Sequence, residues 1–297
     1  YLILDEKVAV MDSVDARAAD EWLAKLAHEL DGRSPDYLVI SHMEPDHSGS
    51  ILRLAEKYQE MKLVGNTKTF TMLRQFFGAK APTDDRLLEV GEGETLPLGA
   101  HTLHFMLAPM VHWPEVMVAY EETEKLLFSA DAFGRFGALS RTAAAPWAPQ
   151  ARRYYYNIVG KYGAQVQALL KKASALEIKT VCPLHGPVLT GEALGEALRL
   201  YDLWSRWQSE SPDDILLAHA SIHGNTARAA ELLKQKLEAK GARVTLCDLT
   251  TTEVSYAVAN AFYCGKLVLA CSTYDGGLFP PMEEFLSHLQ AKGFRDR

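Results

Sequence analysis

The hydrophobic pattern divides the first part of the chain into a region where strands and helices alternate and a region of strands alone. Residues 1–11 predict a β-hairpin, residues 15–30 carry apolar side chains at helical spacing, and residues 37–40 form an apolar run typical of a buried strand. Between residues 86 and 128, short apolar stretches alternate with Gly-rich or acidic turns. This order predicts a sandwich of two sheets with helices on the outside.

The second part of the chain follows a different pattern. Residues 148–176 predict a long helical stretch, and a polar break at Ser209 to Pro212 ends a further helical segment. Strands and helices then alternate, which predicts a parallel, doubly wound sheet with ligands at the carboxyl ends of its strands. The predicted strands are residues 215–220, 243–247 and 266–271. We therefore predict two domains, residues 1–209 and residues 210–297.

Composition narrows the class of protein. The 297 residues are 48% hydrophobic and 23% charged, as in ordinary globular proteins. A net charge of −7 argues against nucleic-acid binding, which requires a basic face. No apolar run approaches the ~20 residues that span a bilayer, and nothing resembles a signal peptide, so we expect no membrane partner and a cytoplasmic location. Because Tyr1 opens inside a predicted strand and the last sheet has few strands, we expect a chain truncated at both ends.

Four side chains that bind metals when deprotonated crowd the loop after the strand at residues 37–40. They are His42, Glu44, Asp46 and His47. In an extended loop, alternate residues project to the same side, so we expect His42, Glu44 and Asp46 to converge and His47 to turn towards a second centre. A polar loop of this kind is also compatible with a solvated turn. The spacing nevertheless favours two metals over one.

Three further metal-competent side chains occupy equivalent places along the chain. His112 in PMVHWP, Asp131 in FSADAFG and His185 in CPLHGP each follow a β-rich run and open a Gly- or Pro-rich turn. A single histidine at a strand end is usually a capping or core residue. Three such groups at three strand ends favour one site that is shared with the acidic loop.

The order H-x-E-x-D-H, then H, D and H, resembles the flavodiiron (A-type flavoprotein) branch of the metallo-β-lactamase fold. The motifs HMEPDHSGS, HWP, DAFG and HGP carry this resemblance, together with a flavodoxin-like second half. The resemblance implies an αββα sandwich followed by a partial flavodoxin-like doubly wound sheet. It also implies two irons bridged by a carboxylate, with His42, Glu44 and His112 on one iron, Asp46, His47 and His185 on the other, and Asp131 as the bridge.

The chemistry of this ligand set differs from that of related hydrolases. By resemblance, those hydrolases carry a histidine where this chain has Glu44, and they hold zinc. A mixture of imidazole and carboxylate suits iron, although zinc and manganese stay compatible with it. The chain also departs from the commonest motif sequences of the family at Glu115 in HWPE and at Ala130 in SADAFG. Both residues neighbour ligands, so metal affinity or pocket polarity can differ while every ligand position is kept.

Two loops at predicted strand ends carry the resemblance to flavodoxin. The loop SIHGNT places hydroxyl and backbone N–H groups at a helix N-terminus, where phosphate binds, although it also fits a simple turn with Thr226 as the N-cap. The chain has no G-K-[ST] motif and no G-x-G-x-x-G motif. The loop STYDGG resembles an isoalloxazine-binding loop. The residues predicted to bind FMN are Ser221, Ile222, His223, Gly224, Asn225, Thr226, Ser272, Thr273, Tyr274, Asp275, Gly276 and Gly277.

The resemblance implies an enzyme that reduces O2 to water, NO to N2O, or both. FMN would pass electrons from a rubredoxin or a similar donor, and a head-to-tail homodimer or a tetramer is expected. Tyr155 in YYYNI is expected to line the diiron pocket as a catalytic residue. Two other classes stay open: a dinuclear zinc hydrolase with an accessory flavodoxin-like domain, and a flavodoxin-like electron carrier with a degenerate first domain.

Overall fold

The computed structural model describes residues 1–142 and 145–295, and the chain forms two compact units. The first unit comprises Tyr1–Gly134 and Ala168–Glu196, and the second comprises Arg135–Gln167 and Ala197–Arg297. The two units therefore alternate along the sequence. The predicted domain division between residues 209 and 210 stays a prediction.

The strands are between two and ten residues long. They are β1 Leu2–Leu4, β2 Val8–Met11, β3 Tyr37–Val39, β4 Lys62–Gly65, β5 Leu87–Glu89, β6 Thr95–Pro97, β7 Thr102–Leu107, β8 Met117–Glu121, β9 Leu126–Phe128, β10 Thr180–Cys182, β11 Leu189–Thr190, β12 Ser211–Ala220, β13 Val244–Asp248, β14 Cys264–Cys271, β15 Thr273–Tyr274 and β16 Gly277–Leu278.

Helices lie between some of these strands. They are α1 Ala19–Leu30, α2 Pro45–Ser48, α3 Ile51–Lys57, α4 Thr67–Phe77, α5 Leu139–Thr142, α6 Trp147–Tyr154, α7 Gly163–Ala173, α8 Gly191–Ser205, α9 Asn225–Glu238, α10 Val254–Tyr263 and α11 Pro280–Ala291. Within residues 1–142 and 145–295, no helix combines the length and the apolar character that crossing a membrane requires.

Two sheets organise the first unit. The first has the order β1-β2-β3-β4-β5 and is parallel from β2 to β5. The second has the order β11-β10-β9-β8-β7-β6 and is antiparallel except between β9 and β10. Because parallel neighbours end at the same edge of a sheet, the turns that follow β9 and β10 lie side by side.

Alternate residues of the first sheet point to different layers. Leu38 packs in a cluster with Leu30 of α1, whereas Val39 packs in a cluster with Phe105 of β7 and Met117 of β8. Each of these side chains is almost completely buried. Burial of one such side chain stabilises the fold by about 1.5–3 kcal/mol. The predicted sandwich of two sheets with helices outside is therefore correct.

A three-stranded parallel sheet of order β13-β12-β14 organises the second unit. The central strand β12 has a fully buried stretch from Leu216 to Ala218, as expected for a strand that is covered on both faces. Helices α9, α10 and α11 contact β12. This is the predicted doubly wound arrangement, with a small hairpin of β15 and β16 that the sequence pattern did not reveal.

The long helical stretch predicted at residues 148–176 is not one regular α-helix. The segment consists of α6, a π-helical turn at Tyr155–Val159, a 3-10 turn at Gly160–Tyr162, and α7. The side chain of Asn157 donates to the carbonyl oxygen of Arg153 (2.7 Å), and such bonds compete with the helical ladder. A Cβ at Gly163 would lie 2.3 Å from the carbonyl oxygen of Ser205, so close packing requires glycine there. The spacing of apolar residues along the sequence predicts neither the hydrogen bond of Asn157 nor the close packing at Gly163.

The predicted polar break at Ser209 to Pro212 is also shorter than expected. Strand β12 already begins at Ser211, which pairs with Cys264 of β14. A register shift between Ser211 and Ile215 follows, so the strand starts irregularly before its regular parallel pairing. Because the first residues of this strand are polar, the sequence pattern did not predict that they pair with β14.

Candidate metal centre

The loop after β3 is fixed by a buried carboxylate and by a short helix. One carboxylate oxygen of Asp12 accepts hydrogen bonds from the backbone N–H groups of Ser41 (2.7 Å) and His42 (3.3 Å). Pro45 then begins α2, where its fixed φ angle suits the first helical position. Asp12 therefore fixes the start of the loop that carries the four polar side chains, and α2 changes the direction of its backbone at Pro45.

Helix α2 overturns one expectation about this loop. We expected His42, Glu44 and Asp46 to converge because alternate residues of an extended loop project together. The extended conformation ends at Glu44, and α2 covers Pro45–Ser48. Asp46 therefore lies beside His47, with 3.2 Å between Asp46 Oδ2 and His47 Nε2. The grouping implied by the family resemblance matches the structure, whereas the grouping inferred from alternation does not.

The other three predicted side chains come from turns beside strands of the second sheet. His112 lies between β7 and β8, Asp131 follows β9, and His185 follows β10. The backbone N–H of Leu184 donates to the carbonyl oxygen of Ala130 (2.9 Å), which joins the turns after β9 and β10. The parallel pairing of these two strands therefore brings Asp131 and His185 to one edge.

The first group of metal-competent side chains comprises His42, Glu44, His112 and Asp131. Glu44 Oε2 lies 3.3 Å from His42 Nε2 and 3.2 Å from His112 Nε2. Asp131 Oδ2 lies 3.0 Å from His112 Nε2 and 3.9 Å from His42 Nε2. Two imidazole nitrogens and two carboxylate oxygens thus face one another.

The second group comprises Asp46, His47 and His185. Asp46 Oδ2 lies 3.2 Å from the Nε2 atoms of both histidines. The other oxygen of Asp131, Oδ1, lies 3.2 Å from His47 Nε2 and 3.5 Å from His185 Nε2. The two carboxylate oxygens of Asp131 therefore face different groups, as a bridging ligand would.

The geometry of the second group fits a cation. His47 Nε2 and His185 Nε2 lie 3.0 Å apart. One proton shared between the two neutral rings is enough to explain this contact. Asp46 Oδ1 is buried and has no hydrogen-bond partner within residues 1–142 and 145–295. A buried carboxylate oxygen of this kind is unfavourable unless a charge is placed beside it. The seven side chains together fit a pair of metal ions.

The carboxylates and imidazoles of the cluster shift one another's pKa values. Burial opposes protonation of His42, but its hydrogen bond to Glu115 helps to raise its pKa to about 9. Burial also opposes protonation of His47, but the Asp131 carboxylate helps to raise its pKa to about 10. Burial alone would raise the pKa of Asp131, yet hydrogen bonds from His112 and His47 lower it well below its usual value. The cluster therefore attracts cations, whether these are protons or metals.

Two buried carboxylates behind the cluster were not predicted as functional. Asp12 holds the backbone of the first loop, and Glu115 accepts hydrogen bonds from His42 Nδ1 (2.7 Å) and from the backbone N–H of Met43 (2.8 Å). Glu115 stands only three residues after His112, which was the available sequence signal. Its contact with His42 spans 73 residues, and no local pattern predicts a contact of that range.

The predicted FMN loops follow β12 and β14, and hydrogen bonds join them. Ser272 Oγ accepts from the backbone N–H of Ile222 (3.3 Å) and lies 3.1 Å from Thr226 Oγ1. Ser221 Oγ accepts from the backbone N–H of Gly224 (3.0 Å). Gly224, at φ 83°, is the residue that precedes α9, so the simple interpretation with Thr226 as the N-cap is wrong.

The remaining residues predicted to bind FMN lie at the surface of these loops. Asp275 (φ 47°) and Gly276 (φ 74°) form the two-residue turn between β15 and β16, a turn that requires positive φ angles. Tyr274 is 52% exposed, so its ring is accessible for stacking. The exposed residues of the two predicted FMN loops are Ile222, His223, Gly224, Asn225, Thr273, Tyr274, Asp275, Gly276 and Gly277.

Tyr155 begins the π-helical turn of the second unit and is completely buried. Its ring centroid lies 5.1 Å from that of Tyr201 and 5.4 Å from that of Trp204. Its hydroxyl has no hydrogen-bond partner in the part of the chain that the structure describes, and burial raises its pKa well above the usual value. π-Helical turns often occur at functional sites. The catalytic role of Tyr155 stays a prediction.

Comparison with known proteins places this site in a family. A family model described as ODP family beta lactamase matches residues 1–186. Rubredoxin-oxygen oxidoreductase of Megalodesulfovibrio gigas is 28% identical over 305 residues, which cover 99% of this chain and 74% of that protein. Nitric oxide reductase of Moorella thermoacetica is 27% identical over 296 residues, which cover 97% of this chain and 73% of that protein.

The fold agrees with solved structures as well. The crystal structure of the flavodiiron protein from Giardia intestinalis matches with a TM-score of 0.92 and 28% sequence identity, over 99% of this chain and 72% of that one. The family model alone covers more than half of this chain. The resemblance inferred from the metal-ligand motifs is therefore confirmed, and the chain belongs to the ODP family of the beta-lactamase fold, in its flavodiiron branch.

Proposed function

We propose that the chain is a flavodiiron oxidoreductase that reduces O2 to water, NO to N2O, or both, with electrons supplied through FMN. The observation that carries the proposal is the arrangement of seven metal-competent side chains in two groups that share Asp131. Two similar proteins are named for these reactions, one as an oxygen oxidoreductase and one as a nitric oxide reductase.

The two groups would each hold one iron. The first ion would be held by His42, Glu44 and His112 and the second by Asp46, His47 and His185, with Asp131 between the two groups. Bound iron supplies reversible electron transfer and open positions for a small ligand, whereas zinc cannot change oxidation state. The three carboxylates offset most of the charge of two ferrous ions, which favours their retention in a mostly buried site.

Exposure defines the side from which a gas molecule reaches the site. The side chains of Glu44 and Asp46 are 35% and 38% exposed, whereas those of His42 and Asp131 are 0% and 1% exposed. His42 and Asp131 therefore form the floor of the site. Glu44 and Asp46 form the solvent-exposed side of the site, from which we infer that the gas and the protons enter.

The joined loops of the second unit support an FMN site. Ser221, Thr226 and Ser272 place hydroxyl groups near the N-terminus of α9, where backbone N–H groups favour a phosphate. Tyr274 and the turn at Asp275 and Gly276 would contact the isoalloxazine ring. We infer that FMN supplies the electrons that the irons use.

The electron donor and the assembly belong to the same proposal. A rubredoxin or a similar small redox protein fits the name of the Megalodesulfovibrio gigas relative. A head-to-tail homodimer or tetramer and a cytoplasmic location stay predictions. The catalytic role of Tyr155 is tested by Tyr155→Phe, which removes only the buried hydroxyl and is expected to lower turnover while iron content is kept.

A dinuclear zinc hydrolase with an accessory flavodoxin-like domain is not favoured. By the family resemblance, Glu44 stands where such hydrolases carry a histidine, and the similar proteins carry oxidoreductase names. A degenerate first domain beside a flavodoxin-like electron carrier is disfavoured by the completeness of the cluster.

The direct test is anaerobic turnover of NO and of O2 with reduced rubredoxin as donor. We expect Glu44→His to lose both activities to the same extent, because the change replaces an oxygen ligand that contacts both histidines of the first group. His104→Ala is the matched control, since His104 lies on β7 and pairs with exposed Glu122. Unchanged turnover in Glu44→His would contradict the assigned site.

A further inference from the structure

We infer that Glu115 is a positioning residue that fixes the tautomer of His42 and thereby sets the metal affinity of the first group alone. The inference rests on the proposed diiron function. Glu115 is 1% exposed and lies behind the ligands, so no step of the reaction places it against substrate. Its effect must pass through His42.

The contacts of Glu115 define the orientation of the His42 ring. Glu115 Oε1 accepts a hydrogen bond from His42 Nδ1 (2.7 Å) and another from the backbone N–H of Met43 (2.8 Å). The second contact can only be donated by the backbone, so Oε1 is an acceptor. A neutral imidazole has one N–H group, and its position on Nδ1 leaves the lone pair of Nε2 facing Glu44 and Asp131.

Glu115 is itself held by a neighbouring helix. Its backbone carbonyl oxygen accepts a hydrogen bond from Asn66 Nδ2 (2.7 Å), and the side-chain oxygen of Asn66 caps α4. The backbone that carries the carboxylate is therefore fixed by a residue at the start of α4. A rigid second partner of a ligand histidine raises its basicity and orients its ring.

The effect of Glu115 is confined to one metal position. The carboxylate contacts of His47, in the second group, and of His112 are made through Nε2 and point into the cluster. Glu115 contacts His42 and not these rings. Loss of Glu115 should therefore weaken the first position and leave the second position occupied.

The first measurement uses the wild-type chain loaded with Zn²⁺, which is diamagnetic and requires no turnover. Nitrogen and proton NMR should show His42 with a slowly exchanging proton on Nδ1 and the metal on Nε2. A His42 ring that carries no proton on Nδ1 would overturn the inference whether or not any variant folds. Because this readout uses no gas or electron donor, it is independent of failure of the proposed activity.

The second measurement compares Glu115→Ala with Glu115→Gln under anaerobic challenge by a ferrous chelator. Outer partners of metal ligands typically contribute 10–100-fold in metal affinity, so Glu115→Ala should lose one iron at about 10–100-fold lower chelator concentration than wild type. The remaining iron, once oxidised, should give the EPR signal of an isolated high-spin ferric ion. Glu115→Gln keeps an acceptor oxygen and should show a smaller loss.

Glu121→Ala is the matched control for this series. Glu121 is as buried as Glu115, but it accepts hydrogen bonds from the backbone N–H groups of Thr123 and Glu124 in a turn, and no hydrogen bond joins it to a histidine among the described residues. It should keep both irons. Equal loss of both irons in Glu115→Ala, or no loss at all, would overturn the inference. Wild-type protein that takes up no iron would instead contradict the proposed function.

Discussion

At the scale of single residues, Asp131 has the most consequential place in the site. Its Oδ2 faces His112 and its Oδ1 faces His47, at 3.0 Å and 3.2 Å. The carboxylate is buried, and hydrogen bonds from both histidines keep its pKa low although burial opposes this. A side chain so placed can hold two cations at a fixed separation, which neither group of ligands can do alone.

Asp131→Asn tests this role. The amide nitrogen cannot bind a cation, so one of the two contacts is lost while the shape of the side chain is kept. We expect iron content to fall from two to at most one per chain. Turnover of O2 and NO should fall by more than the roughly 10–100-fold typical of outer partners. Metal analysis and steady-state rates measure both, and a variant with two irons and wild-type rates would refute the bridge.

Metal uptake should depend on pH. In the metal-free chain, burial opposes protonation of His42 and His47, but their carboxylate partners raise their pKa values to about 9 and about 10. Both imidazoles must lose a proton to bind a metal, so the apparent affinity for Fe²⁺ should increase with pH. Because His42 belongs to the first set of ligands and His47 to the second, each iron displaces one of these protons, and its apparent affinity should rise about 10-fold per pH unit below pH 9. Anaerobic titration calorimetry at pH 6, 7 and 8 measures this. An affinity that is independent of pH would contradict the assigned contacts.

The positions of the seven candidate ligands could be predicted from the sequence because each lies where an apolar run ends. Asp12 and Glu115 could not be predicted in the same way. Asp12 acts through backbone N–H groups 29 and 30 residues away, and Glu115 acts through a ring 73 residues away. Such contacts depend on how segments that are distant in the sequence pack together in the fold, and local composition does not determine that packing.

At the scale of elements, the two sheets of the first unit position the site by their shared core. Phe105 of β7 is completely buried with Val39 of β3 and Met117 of β8 in the cluster between the sheets. The site loops follow β3 and β9, whereas His112 lies between β7 and β8. Loss of packing between the sheets should therefore lower the stability of the first unit and also change the distances between the loops that carry the candidate ligands.

Phe105→Ala should lower the free energy of unfolding by about 3–5 kcal/mol, because it leaves a cavity between the sheets. His104→Ala, at the adjacent position of β7, removes a partly exposed pair with Glu122 and should change stability by less than about 1 kcal/mol. Urea unfolding of the metal-free chain measures both. Similar stabilities of the two variants would be inconsistent with the observed core.

Elements were predictable where an apolar run has the length of a buried strand. Leu38 and Val39 enter different apolar clusters and are both buried, and the apolar run at residues 37–40 predicted this strand. The interruption of the long helix at Tyr155–Val159 was not predictable. It depends on a side-chain contact of Asn157 and on close packing at Gly163, and neither changes the apolar spacing.

At the scale of the whole molecule, the two units have separate chemical roles in the proposal. The metal-competent groups all belong to the first unit, and the joined FMN loops belong to the second. A change in one unit should therefore leave the cofactor of the other in place. The domain boundary and the assembly of several copies stay predictions.

Thr226→Val tests this separation. The change removes the hydroxyl that lies 3.1 Å from Ser272 Oγ while the shape of the side chain is kept. The loss of about one hydrogen bond should weaken FMN binding roughly 2- to 10-fold, with iron content unchanged. Fluorescence titration of FMN and metal analysis of the same sample measure the two effects. Joint loss of iron and FMN would contradict the separation of roles.

The central claim is that seven side chains from four turns hold two redox-active ions in one bridged site. Mössbauer spectroscopy of chain produced with ⁵⁷Fe, together with metal quantification, tests it most directly. The account predicts two irons per chain that are magnetically coupled through a common carboxylate. Zinc as the only bound metal, or irons that show no coupling, would contradict it.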